Sequence, residues 1–271
     1  MLSYAQNAED VVLARVFSDR TDGFYLDVGA FVPDHGSVTK HFYDRGWHGV
    51  NVEPARDAYR RLCQARPRDI NLNICISDHA GVATFYESVE PERSTLSAAV
   101  AEVAAHLRFA ARKVVVRPLA DVCAEYAPDH IDFLKIDVEG HEAEVIAGAD
   151  WTRWRPVVLV VEATEPGRAV PSQERWEPML LAADYELALF DGLNRFYVRR
   201  EDRALLPLLA VPANAHDDFV PHRHHAVVEE LKTTRHELRQ LREELRRRDR
   251  RIRRLEARLA PSLFGDVSGG G

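Results

Sequence analysis

Short apolar runs recur along the first two hundred residues, separated by polar turns and amphipathic stretches. Residues 3–18 carry apolar side chains at helical spacing, with Val11, Val12, Leu13 and Val16 on one face. Strand-like runs follow at 24–28, 49–52, 72–76, 131–136 and 157–161, with a shorter one at 83–86. Helical patterns fill 37–45, 55–65, 141–147 and 174–183, and Pro67 stops the second of them. Residues 88–113 are less regular: Pro91, then Ser94-Thr95-Leu96-Ser97 as a cap, then an alanine-rich helix ending near Arg112. Alternation of strand and helix predicts an α/β fold, an open and mostly parallel sheet with helices on both faces.

The end of this body breaks the alternation. Strand-like runs at 187–190 and 196–198 are separated by Asp191-Gly192-Leu193-Asn194-Arg195 alone. That gap is too short for a crossover helix, so the pair should be a terminal antiparallel hairpin. Earlier, Tyr25-Leu26-Asp27-Val28-Gly29-Ala30 and Gly49-Val50-Asn51-Val52-Glu53-Pro54 each end a strand with a carboxylate or a glycine turn. Those ends mark a nucleoside crevice, where Glu53 can accept hydrogen bonds from ribose hydroxyls. A dinucleotide and S-adenosylmethionine both suit such a crevice. The glycine after Gly29 is Gly36, so GxGxxG is absent. The hairpin therefore favours a class I methyltransferase (Rossmann-like) sheet.

Residues 201–222 hold Pro207, Pro212 and Pro221 and read as a linker or strap between the body, residues 1–200, and a tail. In the tail Leu231, Leu238, Leu245, Ile252 and Leu259 repeat every seven residues, and Val227, Thr234, Leu241, Arg248 and Leu255 occupy the position three later. This predicts a coiled-coil helix over 223–260 that joins a parallel homodimer. The facing pairs Glu230–Arg235, Glu237–Arg242 and Arg251–Glu256 attract, whereas Glu244–Asp249 repels. Residues 261–271 end in three glycines and are expected to be disordered.

Charge separates the same two parts. The chain of 271 residues carries a net charge of −7, yet residues 229–258 hold 12 Lys/Arg against 7 Asp/Glu. An acidic body argues against nucleic-acid binding, and the arginines on the outer helix face read as a solvated surface. Three cysteines without CxxC spacing (Cys63, Cys75, Cys123) read as reduced thiols of a cytoplasmic protein. The first residues lack a signal-peptide pattern, and no apolar run is long enough to span a bilayer.

The segments SYAQNAEDVVL, YLDVGAF, DRGWHGVNVEP, ISDHAG, FLKIDVEGHEAEVIAGAD, VVEAT and FDGLNRFYV stand in this order. Together they resemble the FkbM-type S-adenosylmethionine-dependent methyltransferases over roughly residues 3–220. The resemblance implies a class I fold and O-methylation, commonly of a hydroxyl on a sugar in a glycan or on a secondary metabolite. Phe31 departs from the commoner DVGAN form.

S-adenosylmethionine presents a sulfonium, a ribose diol, an adenine and an amino acid end. Asp27, Gly29 and Ala30 suit the amino acid end, Glu53 the diol, and Asp78 the adenine amine. Asp137, Glu139 and His141 are expected to converge where the fourth strand opens, with Asp137 at the donor and one of the three as general base. Lys135 shares the side of Asp137 and can pair with it. Asp137 and Glu139 can also hold a divalent cation with water and substrate oxygens, a reading ranked lower because octahedral sites need more oxygens than the spacing supplies. Glu162, Asn194 and Arg195 border the crevice as substrate contacts, and residues 88–113 are the candidate lid. Two other functions compete: a nicotinamide-dependent oxidoreductase, which the short hairpin opposes, and a non-catalytic coiled-coil adaptor, which the retained carboxylates oppose.

Overall fold

A computed structural model describes residues 1–89, 94–103 and 108–259. The expected tail of 261–271 lies outside them, as do Pro91 and part of the candidate lid. Two compact units divide the chain at His222 and Arg223.

The first unit begins with β1 (Leu2–Ser3), α1 (Glu9–Val16), β2 (Phe24–Val28), α2 (Lys40–Asp44), β3 (His48–Val52) and α3 (Arg56–Ala65). It continues through β4 (Ile70–Leu72), β5 (Cys75–Ser77), β6 (Gly81–Ser88), α4 (Ala98–Val103), β7 (Phe109–Pro118) and α5 (Leu119–Tyr126). Then come β8 (Phe133–Ile136), α6 (Glu142–Ala147), β9 (Val158–Glu162), α7 (Glu177–Ala182), β10 (Tyr185–Phe190), β11 (Asn194–Arg199), α8 (Leu206–Leu209) and β12 (Val220–Pro221).

Seven strands form the main sheet in the order β10-β11-β9-β8-β2-β3-β4. From β4 to β9 all pairings are parallel. β11 runs antiparallel to both β9 and β10, so the hairpin inserts its second strand into the sheet. Strand order reverses at β2, which lies between β3 and β8. That reversal opens a crevice at the carboxyl ends of β2 and β8.

The strands are apolar because both faces are covered. Phe24, Leu26, Val28, Leu134, Ile136, Leu159 and Val161 meet α5, α6 and α7 on one face. Tyr25, Phe133, Val158, Val160, Phe196 and Val198 alternate onto the other, against Val12 and Leu13 of α1 and Phe42 of α2. There Phe42 lies 4.9 Å from both Trp47 and Phe133, ring centroid to centroid. Each such buried ring contributes about 1.5–3 kcal/mol.

Two expectations fail in the middle of the chain. The single strand at 72–76 is two strands in two sheets: β4 in the main sheet, and β5 in a small sheet ordered β5-β7-β6. Asn73 separates them, donating from Nδ2 to the carbonyls of Glu53 (2.9 Å) and Pro54 (2.7 Å). The alanine-rich helix expected to end near Arg112 does not reach it: among the described residues α4 covers Ala98–Val103. Residues 109–118 are β7, paired antiparallel to β6 through a register from Gly81↔Val116 to Ser88↔Phe109. Val114 and Val116 point inward at period two, which outweighs the helix preference of Ala110 and Ala111.

Residues 201–222 belong to the first unit and pack onto its body. Arg15 of α1 pairs with Asp217 (2.6 Å), donates to the Val211 and Pro212 carbonyls, and β1 pairs with β12. The described part of the second unit, from Arg223 on, is the helix α9 (His222–Leu259), 38 residues and about 57 Å long. Val227, Leu231, Leu238, Leu241, Leu245, Ile252 and Leu255 are all exposed along it. Among the described residues, no helix is long and apolar enough to cross a membrane.

Candidate active site

At the carboxyl end of β2 the chain turns through Gly29, whose φ is +85°. A Cβ there would overlap the Asp137 carbonyl, because β8 passes directly beside the turn and Asp137 N–H donates to Val28 O (3.0 Å). The turn's amides are used internally: Gly29 and Ala30 N–H both donate to Val52 O. Through these amides Gly29 and Ala30 lock β2 to β3. Gly29→Ala should therefore cost about 2–4 kcal/mol through overlap and strain, read as a lowered urea midpoint. A midpoint within experimental error of the parent would contradict this packing.

Asp27, Lys135 and Glu162 share one face of the sheet by strand alternation. Asp27 is 1% exposed and accepts from Thr39 Oγ1 (2.9 Å), while its Oδ1 has no hydrogen-bond partner. Burial raises its pKa. Lys135 Nζ lies 3.1 Å from Asp137 Oδ2 and 4.0 Å from Asp27 Oδ1. Those carboxylates hold the ammonium protonated despite its burial.

Glu53 follows β3. Phe31 N–H donates to its Oε2 (2.7 Å) and Ala55 N–H to its Oε1 (2.6 Å). Each oxygen keeps a second lone pair for another donor. Burial pushes this carboxyl up to about 7, against the pull of the two amides. Phe31 takes the left-handed conformation (φ 53°), which Asn adopts far more readily. Its amide supplies the contact to Glu53, so the departure from the commoner Asn leaves the backbone turn intact.

A third group gathers at the ends of β8 and β9. Asp137, Glu139 and Glu162 each bring a carboxylate oxygen within 4.8 Å of the others. Glu142 shapes the loop between them: its Oε1 accepts from Val138 N–H (3.2 Å) and Gly140 N–H (3.0 Å). Burial lifts Glu142 to about 7 and, with its acidic neighbours, lifts Glu162 well above the carboxylate range. Thr95 Oγ1 donates to Glu139 O (2.8 Å), so residues 94–97 of the candidate lid border this loop. His141 does not join the carboxylates. Its Nε2 lies 3.1 Å from Ser77 Oγ and its Nδ1 3.4 Å from Glu144. Asp78 is exposed, with Oδ1 2.6 Å from His79 Nδ1 and 3.2 Å from Ser77 Oγ.

Residues 27–187 match the Methyltransferase FkbM domain. This chain belongs to the FkbM methyltransferase family. A curated relative, "Methyltransferase sdnD" of Sordaria araneosa, is 43% identical over an alignment of 70 residues, with coverage of 22% of this chain and 27% of the relative. The chain thus spans about a quarter of that relative's length. A solved structure of a TehB-like SAM-dependent methyltransferase from Corynebacterium glutamicum is similar at 9% identity and TM-score 0.40, covering 70% of this chain and 87% of that one.

The part matching the FkbM family holds every expected site residue except Asn194 and Arg195. The structure separates that pair. Asn194 opens β11 opposite Glu162, is buried, and donates from Nδ2 to Glu9 Oε1 (2.7 Å). Arg195 alternates to the other face, where it pairs with Glu177 of α7 (2.6 Å) beside the Tyr197 hydroxyl. Glu9 is a site neighbour that the sequence reading missed: its Oε2 accepts from Asn7 N–H (2.9 Å), and burial lifts it to about 7. Its signal was an acidic residue at the start of an apolar helix, where a carboxylate ordinarily serves the helix dipole.

Proposed function

We propose that this FkbM-family methyltransferase uses S-adenosylmethionine to methylate a hydroxyl oxygen, on a sugar of a glycan or on a secondary metabolite. The observation that carries the reading is Glu53: a buried carboxylate at the crevice, fixed by two amides and open to two further donors. The donor's charge also fits. Asp27 Oδ1 is buried without a hydrogen-bond partner, and among the described residues Asp27, Asp137, Glu139 and Glu162 share the crevice with the ammonium of Lys135. A ligand carrying a sulfonium and an ammonium meets that excess.

S-adenosylmethionine, when bound, supplies an electrophilic methyl on its sulfonium. Glu53 accepts from its ribose hydroxyls, Asp27 faces its amino acid end and Asp78 its adenine amine. Asp137, held by Lys135, orients the acceptor hydroxyl and takes its proton as the oxygen bonds to the methyl carbon. A sugar hydroxyl is too weak an acid to ionise beforehand, so alignment by Glu139 and Glu162 matters as much as the base. Asn194 steadies that edge through Glu9, and His141 positions Ser77 beside Asp78. A coupled assay with labelled donor across cellular glycans tests the acceptor class. Transfer to amines or thiols alone would contradict the oxygen assignment.

Glu53 also predicts a pH dependence. Its folded pKa, about 7, stands above the ordinary 4.5, so its contribution to stability is full below 4.5 and is lost as pH rises through 7. Donor hydroxyls favour the ionised form, so donor affinity should rise over the same interval, with proton release on binding. Titration calorimetry in two buffers of different ionisation enthalpy reads that proton. Glu53→Gln should abolish its release, and release unchanged in the variant would refute the assignment.

We infer further that the protein is a homodimer joined through α9. The exposed heptad face and three attractive facing pairs support a second copy as its partner. Leu238→Asp with Leu245→Asp should halve the mass seen by light scattering, as should truncation after His222, while donor binding persists. An unchanged mass would place the interface in the body.

A further inference from the structure

We propose that Asp137, Glu139 and Glu162 form a binding site for one divalent cation of the magnesium or manganese class, which takes the acceptor's oxygens into its shell. The last clause rests on the O-methyltransferase reading. The site itself does not.

Three carboxylate oxygens within 4.8 Å of one another, contributed by β9 and the loop after β8, can ligate one ion. Such spacing alone is common among acidic residues. Glu162 adds a separate observation. It is only 8% exposed, and its Oε2 is fully buried without a hydrogen-bond partner. A carboxylate in that position is costly without a counter-charge. Lys135 does not meet the need, because its ammonium lies 3.1 Å from Asp137 and 4.0 Å from Asp27. Glu142 adds another buried carboxyl nearby, already bound to two amides.

The donor set selects the ion. All three ligands are hard oxygens, with no sulfur and no imidazole, since His141 turns to Ser77. That chemistry suits magnesium or manganese rather than zinc or copper. Three protein ligands leave positions in an octahedral shell for water and for substrate oxygens. Adjacent hydroxyls of a sugar match two such positions. Too few oxygens was the objection from sequence, and Glu162 meets it: it lies 23 or more residues from the other two in sequence, yet the pairing of β8 with β9 sets it beside their loop.

Manganese tests this directly, with the full chain and without donor or acceptor. Loss of the free-ion paramagnetic resonance signal should saturate at one ion per chain. Glu162→Gln should weaken binding at least about tenfold, and Glu139→Gln should do the same. Manganese should also raise the melting temperature of the parent but not of Glu162→Gln. In EDTA that variant should melt no lower than the parent, because Gln replaces a buried acid crowded by other carboxyl groups. Absence of saturable binding, or equal affinity in parent and both variants, would overturn the proposal. Donor titration in EDTA separates the two readings: manganese binding without donor binding upholds the cation site and sinks the donor assignment.

Discussion

Asp137→Asn should lower methyl transfer by at least about 10³-fold while leaving a folded protein that still binds donor. A positioned base contributes roughly 10²–10⁴ to such a reaction, and Asp137 also fixes the ammonium of Lys135. Asn preserves the shape and removes both the charge and the basic lone pair. Lys135 keeps Asp27 as a second partner, so the fold should survive. Single-turnover assays with saturating donor would isolate the chemical step. Transfer within tenfold of the parent would show that another group receives the proton.

Glu53→Ala should weaken donor binding at least about 100-fold. Hydrogen bonds to a charged group are worth about 1.5–3 kcal/mol each, and the ribose diol would lose two. The substitution also releases the amides of Phe31 and Ala55, which loosens the turn that shapes the crevice. Glu53→Gln is the milder comparison, since one amide oxygen can still accept. Melting temperatures of both variants report whether the loss is local. An alanine variant binding within threefold of the parent would remove Glu53 from the site.

Much of the architecture was legible because parallel strands buried on both faces must be apolar runs. The hairpin was legible from a five-residue gap that no crossover can use. The insertion of β11 between β9 and β10 was not, since pairing order depends on contacts distant in sequence. β7 was missed because Ala110 and Ala111 outweighed an alternation that buries only Val114 and Val116 along ten residues. At the site, Asp27, Glu53 and Asp137 stand at strand ends that hydrophobic pattern alone locates. Arg195 was grouped with Asn194 by adjacency, although period two already puts neighbours on opposite faces. Glu9 meets Asn194 from 185 residues away, and no local pattern encodes that contact. The cluster of Asp137, Glu139 and Glu162 likewise exists only once β8 and β9 pair.

Calorimetric titration of the unmodified chain with S-adenosylmethionine, and in parallel with NAD, tests the central claim most directly. The account predicts saturable micromolar binding of S-adenosylmethionine at one per chain and none of NAD. Binding of NAD alone, or of neither, would contradict it.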